Sequence, residues 1–211
     1  MSTAHNVEPV IKRENIMSKA VLISIQPKWC KLIFKFLGWD NGRPLYKKRL
    51  DLRKSKPDCN IPFKAYIYCP KDNTDRVPSR IWWKADKTGF QHILNGKVIG
   101  EFVCDYILSH CEMANADMAE QMSCVSREDI LKYSNGKEVF GWHISDLVIY
   151  DKPKELREFY RKCEADKCEG CEHLKYQHIN ANELDYDCEF LNYNIPITRP
   201  PQSWCYVEVI A

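Results

Sequence analysis

The densest charge in the chain lies between Arg43 and Lys56, where seven basic residues (Arg43, Lys47, Lys48, Arg49, Arg53, Lys54 and Lys56) surround one acid, Asp51. Leu50 and Leu52 alternate with Arg49, Asp51 and Arg53, which is the period of a half-buried strand, so the three charged side chains are expected on one face. A row of cationic donors with one carboxylate among them suits a phosphate or a flat polar ligand. The same row would serve as a charged sheet edge that resists aggregation, and spacing alone does not separate the two. If the protein hydrolyses a bond, Lys48 and Asp51 are the pair that could act as base and orienter. An Asp between two Arg residues is nevertheless expected to be ionised and paired, which favours orienting a ligand over moving a proton.

A second constellation is Cys163, Cys168, Cys171 and Cys188, spaced C-x4-C-x2-C-x16-C. Two thiolates three residues apart can grip one tetrahedral ion from a tight turn, and Gly170 sits in that turn. The expectation is one structural Zn²⁺ closed by four sulfurs, with His173 and His178 as substitutes for a misassigned ligand. Eight acids and two lysines lie between Cys163 and Glu189, so this stretch should repel phosphate. It reads as a stabilising lobe or a surface for a protein partner.

Other residues qualify singly. Trp142 and Trp204 could stack on a base, while Arg199, His143 and Ser145 could bind its polar edges or phosphate. Each Trp is equally a core side chain, and His143 a strand histidine with a satisfied hydrogen bond. Lys28 heads a lysine face with Lys31 and Lys35 that is either solvated or part of a basic surface.

Positioning these groups requires a β-rich scaffold. AVLISIQ, FKAYIYC, KVIGEFVCDYIL, GWHISDLVIY and SWCYVEVI read as strands, with RLDLRK between the first two. PKWCKLIFKFL reads as a helix whose apolar face is Trp29, Leu32, Ile33, Phe36 and Leu37, with Pro27 in its first turn. GWDNGRPLYKK is a loop or hairpin extension. SREDILKYS is a helix capped by Ser126, DKPKELREFY a second short helix, and the region around Met113–Met122 carries no clear pattern. Strands and helices in this order do not alternate as a doubly wound sheet would. The fold class expected is α+β, mainly β: a small, partly open barrel with rim helices. Residues 1–18 read as a loose arm, with Met17 a conceivable second start, and 19–211 as one domain interrupted by a Cys-rich insert over 163–189.

Composition sets the remaining bounds. The 211 residues are 45% hydrophobic and 28% charged, ordinary for a globular chain, and the net charge of +2 makes any basic surface a local one. No apolar run approaches the ~18–20 residues of a membrane helix. Eleven cysteines without a leader-like segment fit a reducing cytoplasm, where most thiols are free and buried.

SIQPKW, a helix, KRLDLRK, an apolar strand and KVIGEF together resemble the ASCH (activating signal cointegrator homology) family, related to the PUA and EVE domains. The family pattern Gly-x-Lys-Thr-x-Glu-x-Arg meets Lys48, Asp51 and Arg53 at its Lys, Glu and Arg positions. Arg49 stands at the Thr position, and the hairpin extension replaces Gly-x. GWHISDLVIYDKPKEL and ITRPPQSWCYVE look like the phage and prophage branch of Gram-positive bacteria. The resemblance implies a cleft beside the motif strand that accepts RNA, other nucleic acid or a modified nucleobase. It also implies an alternative, since one bacterial branch hydrolyses N4-acetylcytidine through a Lys, a Thr at the motif's Glu position and a later Glu. Lys48 alone matches that set; Asp51 occupies the Thr position, and Glu101 is the strand candidate for the later Glu. A ribonuclease is the other hydrolytic alternative. Nucleic-acid contacts are expected from Lys28, Lys48, Arg49, Asp51, Arg53, Lys54, Trp142, His143, Ser145, Arg199 and Trp204.

Overall fold

A computed structural model describes residues 19–40, 42–71, 94–162 and 194–209. The four candidate zinc cysteines, Trp82, Trp83 and the N-terminal arm lie outside the described residues. The apolar run at the start forms β1 (Lys19–Ser24), in which Ala20, Val21, Leu22 and Ile23 are all fully buried. A strand buried on both faces must lie inside a sheet. β1 pairs in parallel with β5 (Phe63–Cys69) and antiparallel with β12 (Trp204–Glu208). Beyond β5 come β6 (Lys97–Cys104) and β9 (Ser145–Lys154), giving a five-stranded sheet of order β12-β1-β5-β6-β9.

Residues along these strands alternate between two cores. Val21, Ile23, Phe63, Ala65, Ile67 and Phe102 face inward, with Trp204 and Tyr206 packed beside them. Ala20, Leu22, Tyr66, Tyr68 and Val207 face the other way, under Phe159 and Ile197. Those two covers flank a ribbon of β10 (Tyr160–Lys162) and β11 (Asn194–Pro196). A three-stranded sheet of order β4-β8-β7 closes the inner core; its strands are β4 (Leu50–Arg53), β7 (Ile107–Leu108) and β8 (Phe140–His143). Helices α2 (Ala116–Ser123) and α3 (Arg127–Ser134) cover its outer face through Ala119 and Ile130. The α+β, mainly β class is as expected; among the described residues the strands form separate sheets, not one hydrogen-bonded barrel.

Several boundaries differ from the sequence pattern for identifiable reasons. The first helix, α1 (Pro27–Ile33), stops before Phe36 and Leu37, and the returning chain pairs with its last turn and with the residues just past it. Lys48 N–H donates to Leu32 O at 3.3 Å and Lys47 N–H to Lys35 O at 2.9 Å. Phe36 and Leu37 instead belong to β2 (Phe36–Asp40), which pairs with β3 (Arg43–Tyr46) as the expected hairpin. KVIGEFVCDYIL divides at Asp105–Tyr106 and GWHISDLVIY at Ile144, so each contributes strands to both sheets. DKPKELREFY is the end of β9, a 3-10 turn at Leu156–Glu158 and the start of β10, not a helix. The α3 reading holds in detail, with the Ser126 hydroxyl accepting from Asp129 N–H at 3.2 Å.

Gly100 fixes where β6 meets β9. A Cβ there would stand 2.5 Å from Val148 O and 3.3 Å from Ile149 Cα, both backbone atoms that cannot rotate away. Gly100→Ala is expected to lower the thermal midpoint by several degrees, the usual result of ~1–3 kcal/mol of overpacking. An unchanged midpoint in a melting experiment would show that the two strands can separate locally at little cost.

Candidate functional site

The charged strand is turned inside out. Leu50 and Leu52 point to the outer side: a Cβ on the neighbouring Gly141 would lie 3.2 Å from Leu50 Cδ1 and from Cys111 Sγ, and Leu52 packs in the core under α2 and α3. Asp51 and Arg53 therefore face the inner core and are buried, and Asp51 lies directly opposite Trp142 in the β4–β8 register. The aggregation-resisting sheet edge, one of the two readings of this strand, does not describe side chains in this position.

Three charges meet there. Asp51 Oδ2 accepts from Arg53 Nε at 2.6 Å, and Asp51 Oδ1 lies 3.8 Å from Lys48 Nζ. Arg53 spends its remaining donors on the five-stranded sheet: Nη2 donates to Ser24 O at 2.8 Å, and Nη1 to Ser203 O and Oγ, each at 3.2 Å. Arg53 thus ties β4 to the end of β1 and the start of β12, with five donors in a fixed fork suited to that task. Lys48 is 2% exposed; its ammonium donates to Ser123 O at 3.0 Å and sits 5.1 Å from the Trp29 ring centroid. Ser123 ends α2, so the ammonium meets the negative end of that helix. Burial lowers the Lys48 pKa, and the charge of Asp51 opposes the shift.

Aromatic rings wall the cluster. Trp142 is fully buried, edge-on to Phe63 at 5.4 Å and 5.9 Å from Trp204. Its Nε1–H has no hydrogen-bond partner among the described residues. Trp204 is half-buried and donates through Nε1 to Ser55 Oγ at 3.1 Å. Trp29, Ser24, Ser203 and Trp204, all half-buried, form the rim. Beside the cluster the Cys30 thiol is pushed well up by burial and by the adjacent Cys69, which leaves it a poor nucleophile.

Lys48, Asp51, Arg53, Trp142 and Trp204 thus come together as one site. The other candidates do not join it. Lys28 is exposed 4.6 Å from the Trp29 ring centroid, on the rim's outside, and exposed Lys54 lies 4.9 Å from that of Tyr133. Arg49 is half-buried, and its charge acts on the Tyr106 hydroxyl against burial and Asp105, which raise that group's pKa. His143 points away from Asp51 by strand alternation, stacks on Tyr106 at 4.3 Å and holds Asp105 through Nδ1 at 2.6 Å. That is the satisfied strand histidine. Ser145 Oγ donates to Val103 O at 2.7 Å, so this hydroxyl serves the β6–β9 pairing. Arg199 is exposed on the segment between β11 and β12.

Glu101 lies on the far face of the five-stranded sheet, in register with Tyr66 of the outer core. Its carboxylate accepts from Lys64 Nζ at 2.8 Å and Tyr150 OH at 2.6 Å. Burial would raise its pKa, but these two donors outweigh it and hold the group low. Glu101 cannot serve Lys48 as a catalytic partner across a buried sheet.

No family model and no curated protein matches the chain. Among solved structures it is similar to a serine-to-alanine mutant of the ASCH protein of Zymomonas mobilis, at 16% identity and a TM-score of 0.48, over 91% of this chain and 90% of that one. It is similar also to the crystal structure of ASCH from the same organism, at 16% identity and a TM-score of 0.47, over 89% of this chain and 86% of that one.

The sequence reading missed Trp29, Ser24, Ser203 and Ser123 as parts of the site. Trp29 was visible only as part of a helical face. The serines contribute mostly backbone carbonyls, which carry no residue-type signal. Among the described residues no group of three His, Cys, Asp or Glu side chains could hold a metal ion, and no helix is long and apolar enough to cross a membrane.

Proposed function

We propose that this chain is a nucleic-acid-binding module of the ASCH/PUA type that takes a single base, plain or modified, against the Lys48–Asp51–Arg53 cluster. One observation carries the reading: a buried Lys–Asp–Arg triad with net charge +1 lies opposite a buried indole N–H that has no partner among the described residues. Lys48 keeps donors beyond the one given to Ser123, and Asp51 Oδ1 keeps acceptor capacity. A nucleobase edge combines N–H donors with carbonyl and ring-nitrogen acceptors in one plane, which is what such a set recognises. The Trp29 and Trp204 rings at the rim supply faces for stacking. RNA is favoured over duplex DNA because only an unpaired base can present its edge to a recessed cluster. The resemblance of GWHISDLVIYDKPKEL and ITRPPQSWCYVE to the phage and prophage branch supports such a role in a phage or prophage of a Gram-positive host.

Titration with cytidine, N4-acetylcytidine and single-stranded RNA and DNA oligomers at low salt tests this. Binding of oligomers that weakens steeply with salt is expected, since phosphate contacts release counterions. No binding to any of these probes would refute it. The lowered pKa of Lys48 favours a second reading, a hydrolase of acylated cytidine or of RNA, in which Lys48 moves the proton and Asp51 orients it. Acetate release or strand cleavage in the same samples, lost in Lys48→Ala, would promote that reading.

Zinc belongs to the same proposal. Residues 163–189 carry too many acids and too few large apolar side chains to order by burial alone, so a thiolate-bound Zn²⁺ on Cys163, Cys168, Cys171 and Cys188 would supply the folding energy. Protein purified without chelator is expected to hold about one zinc per chain by elemental analysis, as four thiolates closing one tetrahedral site require. Cys168→Ser should lower that content sharply without loss of nucleoside binding. A metal content far below one per chain sinks the idea.

A further inference from the structure

Among the described residues, the β2–β3 hairpin carries three of the large apolar side chains that the fold leaves exposed. Trp39 is 71% exposed, Leu37 54% and Phe36 49%. Scattered exposed apolar residues need no explanation, but three on one five-residue strand do. Strand alternation would put Phe36 and Trp39, three residues apart, on opposite faces. A bulge prevents this: the register shifts between Phe36 and Gly38, and Gly38 takes φ +136°, a conformation that L side chains rarely adopt. The two rings consequently meet edge to face at 5.8 Å, and Tyr46 joins Phe36 from β3 at 6.0 Å. A glycine-dependent bulge that gathers aromatic rings on the solvent side is an arrangement for contact.

Charge says with what. From Pro27 to Leu50 the chain has seven basic residues and one acid, Asp40. Lys28, Lys31, Lys35 and Lys47 are exposed, and Lys35 and Lys47 stand side by side at the base of the hairpin, joined through their backbones. Beyond Lys47 the chain enters Lys48 directly, so the ribbon rises beside the buried cluster. Basic side chains around exposed rings suit a strand with negative phosphates and flat bases, and they suit poorly an apolar protein surface, against which lysines would have to be desolvated.

We infer that the β2–β3 hairpin is a stacking platform for single-stranded RNA or DNA, with Trp39 stacking on a base flanking the one held at the Lys48 cluster. The inference rests on the nucleic-acid reading above and adds a second, independent contact to it. Trp39 is exposed and packs in no core of the described residues, so its variants should fold.

Fluorescence anisotropy with a labelled single-stranded RNA oligomer, alongside calorimetry with cytidine monophosphate, separates the two contacts. Trp39→Ala is expected to weaken oligomer binding about tenfold, within the range measured for loss of one stacked ring, and to leave the mononucleotide affinity unchanged. Trp39→Phe should retain most of the oligomer affinity and Trp39→Leu should lose it as Ala does. Oligomer binding that persists unchanged in all three variants overturns the inference and leaves the base-binding cluster standing. Retention by Leu overturns stacking in favour of simple apolar burial. If the wild type binds mononucleotide but no oligomer, the platform is wrong; if it binds neither, the reading beneath it fails as well. Self-association of the wild type that Trp39→Ala abolishes, with oligomer affinity unaltered, assigns the patch to a protein contact and likewise overturns the inference.

Discussion

Asp51→Asn is expected to destabilise the protein by about 3–5 kcal/mol, the usual cost of removing one partner from a buried ion pair. Among the described residues Asp51 is the only anion in a cluster with Lys48 and Arg53, and each of the three is at most 8% exposed. With Asn in its place two like charges remain without a counter-ion in the core. Largely buried, they gain little hydration, and Arg53 cannot swing away without releasing Ser24 and Ser203. The strain should fall on the junction of the two sheets, because Arg53 links them. Lys48→Met combined with Asp51→Asn removes one of the two unpaired cations, so the double variant should recover part of the loss. Urea unfolding of the wild type, both single variants and the double variant measures this coupling. A midpoint for Asp51→Asn within error of the wild type would show that the triad is well hydrated and its charges are not held by burial.

The strands that build the cluster were legible in the sequence, but the direction of β4 was not. Apolar alternation fixes which residues share a face; it does not say which side of the sheet holds the larger core. Here Leu50 and Leu52 found a partner in α2, a helix whose buried side is Ala116, Ala119, Met122 and Ser123. Small residues produce a weak periodic signal, so Met113–Met122 read as patternless, and without α2 the leucines had nowhere to go but inward. Lys48 escaped notice as a buried residue for the same reason, since its acceptor is the last carbonyl of that helix. Two long strand patterns each hid a break. At the second, Ile144 leads to Asp146 at φ +45°, a left-handed position that no glycine announces. The early stop of α1 was invisible because the chain around its end pairs with Lys47 and Lys48 returning from the hairpin, a contact remote in sequence. What sequence does carry well is the cap of α3 and the continuous burial of β1, both of which are local or purely apolar effects.

Lys48→Met should cost little stability and most of the ligand affinity. The substitution replaces a buried cation by an apolar chain of similar length, and it leaves Asp51 and Arg53 as a neutral, well-bonded pair at 2.6 Å. Ser123 O loses a donor, a penalty of about 1–3 kcal/mol for a buried acceptor, which removal of the desolvated charge offsets. The ligand has no such compensation: it loses the charged donor facing its acceptors, and a charge-assisted bond of about 1.5–3 kcal/mol corresponds to a tenfold or greater loss of nucleoside affinity. The wild type adds a pH signature. Burial first, opposed by Asp51, places the Lys48 pKa below its ordinary value of about 10.4. In the window between the lowered folded value and that unfolded one, the unfolded chain binds the proton and the folded chain does not. Stability contributed by this group therefore rises with pH across the window, whereas affinity for a ligand held by the ammonium falls across it. Both trends should vanish in Lys48→Met. Calorimetric titrations and urea midpoints taken through the same alkaline range would settle the matter, and wild-type affinity that is flat there while stability climbs would remove Lys48 from the binding site.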